Sequence, residues 1–152
     1  MPNKRIYLSP PHMSGKEVEL VNDAFDSNWI APLGPHVDQF EREMAEYLGI
    51  DHAVALSTGT AALHLALKLA RVKKEDTVLC PSLTFSASAN VILYENAIPI
   101  FLDVHSEIWT LNPDLMVIAI EKYQPKALIT VDLYGQSADY DVILEICESF
   151  NV

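Results

Sequence analysis

The sequence predicts an α/β fold, and three observations carry that prediction. Four short apolar runs read as strands. Each is followed by a helix pattern. None of the runs alternates polar with apolar residues. Strands that are apolar throughout are buried on both faces, as in a parallel sheet covered by helices. The expected architecture is three-layered, with a mostly parallel sheet flanked by helices over residues 51–152. A helical segment over residues 1–50 precedes it.

Residues 1–16 read as extended or irregular, because Pro10-Pro11 blocks helix and Ser14-Gly15 signals a turn. An amphipathic helix follows over residues 16–27, with Val18, Val21 and Phe25 on one face. Residues 28–35 interrupt it with Trp29, Pro32, Gly34 and Pro35. That loop is either a linker whose Trp29 packs on the core or a shaped loop lining a pocket or subunit contact. A second helix spans residues 35–48. Pro35 suits its first turn, Val37, Phe40, Met44 and Leu48 give its period, and Gly49 suits its C-terminal cap.

The strand–helix units begin at residue 53. The apolar run 53–56 leads through Ser57-Thr58-Gly59-Thr60 into a helix over 60–71. His64, Lys68 and Arg71 are the only polar side chains from Ala61 to Val72, spaced by four and three on one face, so the helix is expected to be largely buried. Strands are expected at 77–80, 98–104 and 126–133, with helices at 86–96, 112–123 and 139–150. Asn112-Pro113 supplies an N-cap and a first-turn proline. Right-handed crossovers bring the strand-to-helix turns to one edge of the sheet, where ligands bind in open α/β folds. The fourth helix ends just before Asn151-Val152, where a fifth strand is expected to start.

Net charge is −11, from 10 Lys and Arg against 21 Asp and Glu. That balance argues against nucleic acid and against an anionic membrane surface as partners. An anionic ligand would need local donors. Neither Cys80 nor Cys147 belongs to a CxxC pair, and the acidic residues match no metal loop, so no metal is expected. The chain shows no signal-peptide core and no membrane-length apolar run, and a cytoplasmic setting is expected.

Ser57–Ala61 is the leading candidate site. It reads either as a phosphate cradle, with the Gly59, Thr60 and Ala61 N–H groups as donors, or as a helix cap with a tight turn. It fits neither GxGxxG nor GxxxxGK[ST]. Phe85, among small residues on the ligand edge, reads either as a ring-stacking surface or as a core residue. Asp103, Asp132 and Asp139 follow strand ends, where acid–base work competes with capping and turn formation.

Five segments in order resemble the N-terminal part of the DegT/StrS-type sugar-nucleotide aminotransferases, a group of fold-type I pyridoxal-phosphate enzymes. They are Ser27-Asn28-Trp29-Ile30-Ala31 with Gly34-Pro35 and Phe40-Glu41, then Ser57–Leu63, Pro81–Phe85, Pro99–Val104 and Leu133–Gln136. The resemblance implies part of an aspartate-aminotransferase-like large domain. It implies that Gly59, Thr60 and Ala61 hold the phosphate of pyridoxal 5′-phosphate, that Phe85 stacks on its ring, and that Trp29 and its loop lie near the sugar-nucleotide site or the dimer contact. It further implies a homodimer that moves an amino group from glutamate to a keto-sugar nucleotide for polysaccharide precursors. Family members are more than twice as long. The Schiff-base lysine is therefore expected outside these residues, and the chain alone is expected to be inactive. Asp132 stands where many relatives carry histidine. Two other readings stand beside this one: a non-catalytic phosphate- or nucleotide-binding module, and an interaction remnant that pairs with another chain.

Overall fold

The computed structural model describes residues 5, 7 and 11–152. Most of the extended segment expected before Pro11 therefore lies outside the described residues. The chain divides into two compact units, Met1–Ala55 and Leu56–Val152.

The first unit holds α1 (Lys16–Asp26) and α2 (Pro35–Leu48). The Glu17 carboxylate starts α1 by accepting the Ser14 and Gly15 N–H groups, each at 2.8 Å. These bonds, the one from Ser14 foremost, hold its carboxyl at about 2. α2 begins at Pro35 and ends at Gly49, whose φ of 67° is the left-handed conformation that glycine takes without strain. Both amphipathic helices form where their periodicity places them, yet neither buries a residue fully. Val18, Val21 and Phe25 stay more than half exposed.

The second unit holds α3 (Gly59–Leu69), β1 (Thr77–Pro81), α4 (Ala87–Tyr94), β2 (Ile98–Leu102), α5 (Pro113–Tyr123), β3 (Ala127–Leu128) and α6 (Tyr140–Phe150). The sheet order is β2-β1-β3, with both pairings parallel. β1 pairs with β2 from Thr77 opposite Ile98 to Pro81 opposite Leu102, and with β3 at Val78 and Leu79. Its side chains alternate between two cores. Val78 and Cys80 pack with Leu67, Val91 and Ile92 on the α3–α4 side. Leu79 packs with Leu111, Met116, Ile120 and Ile143 on the α5–α6 side. This unit is the α/β sandwich of three layers that apolar strands call for. Asn112 caps α5 by accepting the Asp114 N–H, and Asp139 caps α6 by accepting the Val142 N–H.

Three expectations are corrected. The run 53–56 forms no ladder among the described residues. A strand exists only as a pair, and no described strand pairs with this run. The Ala55 N–H donates instead to the Glu41 side chain at 2.8 Å, and Val54 is 69% exposed. The strand expected at 126–133 is cut to Ala127–Leu128. The helix over Gly59–Leu69 is not largely buried, because only Leu67 is enclosed. Its Leu63–Leu67 side meets the core, while Leu65 and Leu69 look outward and are 39% and 75% exposed. No helix among the described residues is long and apolar enough to cross a membrane.

Because Leu79 is wholly enclosed in the central strand, Leu79→Ala is expected to cost about 2–5 kcal/mol in chemical denaturation.

Candidate functional site

α3 starts at an N-cap made by Thr58, whose extended backbone turns the chain into the helix. Its Oγ1 accepts the Ala61 N–H at 3.1 Å, and its carbonyl accepts the Ala62 N–H at 3.1 Å. The N–H groups of Gly59 and Thr60 have no hydrogen-bond partner among the described residues. The cap is thus formed at this turn, and it leaves two backbone donors unpartnered among the described residues. Of the three donors expected there, Ala61 is committed to the cap, and Gly59 and Thr60 are free.

A cavity of about 330 Å³ opens at these two residues. α3 lines it with Gly59, Thr60 and Leu63. The segment entering α4 lines it with Thr84, Phe85, Ala87 and Ser88, and Val131 follows β3. Phe85 is 77% exposed, so it is a cavity residue and not a core one. The Thr84 and Ser88 hydroxyls lie 2.8 Å apart and fix the turn that presents it. Ser88 is buried. The cavity lining includes no lysine, arginine or carboxylate. Its polar chemistry is that of backbone N–H groups and small hydroxyls, with an aromatic ring nearby. A groove of about 410 Å³ between α1 and α2 is lined chiefly by Leu20, Val21, Ala24 and Phe40. Among its polar residues Gln39 and Glu43 bond to each other, and His36 Nε2 lies 2.9 Å from Asp23.

The three strand-end aspartates serve local structure. Asp103 accepts the N–H of its neighbour Val104 at 2.9 Å. Asp132 accepts the Ala138 N–H at 2.9 Å and the Tyr140 hydroxyl at 3.1 Å. Asp139 is the cap of α6. Burial first, and the Asp132 hydrogen bond second, push the Tyr140 hydroxyl above its ordinary value. Between Asp132 and Asp139, Tyr134 and Gly135 both adopt positive φ, at 53° and 87°, and close the Leu133–Gln136 bridge.

In the first unit, Trp29 is half exposed and lies against the backbone of Gly34. A methyl group on Gly34 would fall 3.0 Å from Trp29 Cε3, and its φ of +142° already disfavours a side chain. The loop is shaped by this contact.

Sequence reasoning missed Glu95, at the end of α4. Its Oε1 lies 2.8 Å from Lys68 Nζ and 2.5 Å from His64 Nε2. The polar face read on α3 is thus the face that meets α4. Arg71 falls past the helix end, at φ 59°, and takes no part in this cluster. The Lys68 hydrogen bond, followed by that of His64, holds the Glu95 carboxyl below its ordinary value against its desolvation.

The model of the DegT/DnrJ/EryC1/StrS aminotransferase family matches residues 11–152. The chain belongs to that family. EpsN of Bacillus subtilis (strain 168) is 50% identical over 99% of this chain and 40% of its own length. The GDP-perosamine synthase of Escherichia coli O157:H7 is 38% identical over 98% of this chain and 41% of its own. Spr1654 of Streptococcus pneumoniae, in its PLP form, superposes with a TM-score of 0.84 at 32% identity, over 96% of this chain and 37% of that one. The chain thus spans about two fifths of the length of the curated DegT-family relatives named here.

Two outcomes follow. Gly34→Ala is expected to cost about 1–3 kcal/mol in thermal unfolding and to shift Trp29 emission in a Trp109→Phe background. A carboxyl whose folded pKa is depressed stabilises the fold above its unfolded value, and that stability is lost as pH falls through the folded one. The melting-temperature gap between the native chain and Glu95→Gln is therefore expected to be full at neutral pH and to close progressively below pH 4.5.

Proposed function

We propose that this chain supplies the phosphate- and ring-holding part of a pyridoxal 5′-phosphate site in a sugar-nucleotide aminotransferase. The observation that carries the reading is the pair of unpartnered N–H groups, Gly59 and Thr60, at the start of a helix whose cavity is shared with the exposed Phe85 ring. The residues fit the cofactor. Nothing stands within 4 Å of the position a Gly59 side chain would occupy, so a phosphate can approach the backbone closely. The N-terminal end of α3 favours the negative charge.

In this reading Gly59 and Thr60 donate to phosphate oxygens, and the Thr60 hydroxyl adds a further donor. The Ala61 N–H, implied by family resemblance as a third, is held by Thr58. Phe85 offers its face to the pyridine ring. Leu63, Ala87 and Val131 give the cavity its apolar wall. When bound, the cofactor supplies the electron sink that amino-group transfer requires. No lysine lines the cavity. The lysine that carries the cofactor is proposed to lie in the part of the parent protein beyond these 152 residues, and the chain alone is expected not to turn over.

The parent is proposed to act as a cytoplasmic homodimer. Glutamate is the proposed amino donor and a keto-sugar nucleotide the acceptor, in polysaccharide precursor synthesis, with Trp29 bordering the substrate. The family match and the GDP-perosamine synthase relative support this reading.

Titration of the chain with pyridoxal phosphate, followed by calorimetry, tests it. Saturable binding is expected. Gly59→Asp, which places a carboxylate at the donors yet suits a first helical turn, is expected to abolish binding with the fold intact by circular dichroism. Equal affinity for pyridoxal phosphate in the native chain and in Gly59→Asp would refute the cradle.

A further inference from the structure

Glu95 lies outside the cavity but ties together the two elements that form it. The free donors Gly59 and Thr60 open α3, and Phe85 and Ser88 lead into and open α4. Both helices therefore start at the cavity, and their mutual placement sets the gap between donors and ring. On the core side α3 is held by Leu63 and Leu67. Apolar contacts of that kind are non-directional.

The Glu95 carboxylate supplies the directional contact. Its side chain is only 12% exposed, and one oxygen, Oε1, meets both His64 Nε2 and Lys68 Nζ of α3. The Tyr94 ring stands edge-on to the His64 ring at 5.5 Å between centroids. The groups facing Glu95 are thus His64 and Lys68 from α3, with Tyr94 beside it on α4. Glu95 is largely covered while His64 and Lys68 are 33% and 55% exposed, and two directional contacts converging on one covered oxygen define the placement of α3 against α4. We propose that Glu95 is a positioning residue: by anchoring α3 to α4 it sets the distance between the Gly59–Thr60 donors and Phe85, so that one ligand carrying both a phosphate and a flat ring can engage both. The identity of that ligand rests on the function proposed above.

The test uses two probes on the full chain. Pyridoxal phosphate needs both walls, whereas inorganic phosphate needs only the start of α3. Glu95→Gln is expected to weaken pyridoxal phosphate about tenfold and to leave inorganic phosphate unchanged. Lys68→Met, at a more exposed position, is expected to do the same in smaller measure and serves if Glu95→Gln fails to fold. Equal losses for both probes would mean that Glu95 merely supports the start of α3, and no loss for either would mean that it supports nothing; each result overturns the proposal. If the native chain binds neither probe, the cofactor reading fails by itself. Amide exchange then decides the anchor. Ala61 and Ala62 are expected to exchange about tenfold faster in the variant, with Val78 and Leu79 unchanged. Unchanged rates at Ala61 and Ala62 would overturn it.

Discussion

The second unit depends on the complete enclosure of β1. This strand has a parallel partner on each edge and a helical layer on each face. A strand so enclosed has no polar surface to spare, which is why Val78, Leu79 and Cys80 run together without a polar break. The enclosure also fixes direction. β2 and β3 run parallel to β1 on opposite sides, so chain order reverses across it, and a crevice forms where neighbouring connections part. Thr84 and Phe85 follow the end of β1, and Val131 follows β3. The cavity at the start of α3 is a product of topology before it is one of side-chain chemistry.

That chemistry is economical. A helix start leaves N–H groups unused, and a capping residue claims some of them. The Thr58 hydroxyl takes the Ala61 N–H, and the first regular helix bond runs from Ala62 to the Thr58 carbonyl, which leaves the adjacent Gly59 and Thr60 donors. Glycine matters here for the open approach it permits, since its φ lies outside the left-handed range.

Much of this was legible in advance. Local signals with a direct physical cause landed where they pointed: Pro35 and Gly49 around α2, Asn112-Pro113 before α5, and Asp139 before α6. The turn at 57–60 was legible as a cap and as an anion site, and its structure is compatible with both. What failed was whatever depends on neighbours. The apolar run 53–56 carries strand propensity but no ladder among the described residues, and propensity cannot supply a partner. Leu65 and Leu69 satisfy a buried-helix pattern, yet among the described residues they stay 39% and 75% exposed. Glu95 was illegible for the opposite reason. A single glutamate at a helix end reads as solvated, and only the packing of α4 on α3 brings it to His64 and Lys68.

The absence of lysine and arginine from the cavity lining has a consequence for how a bound anion would respond to ionic strength. Recognition by cationic side chains weakens as dissolved ions compete for both partners. Backbone amides are short-range dipoles with no counterion atmosphere to release. For a phosphate seated on Gly59 and Thr60, the hydrogen-bonded share of the hold would thus be short-range, and only the share from the α3 terminus would weaken with salt. In a chain of net charge −11, added salt would even ease its approach by screening the overall negative charge.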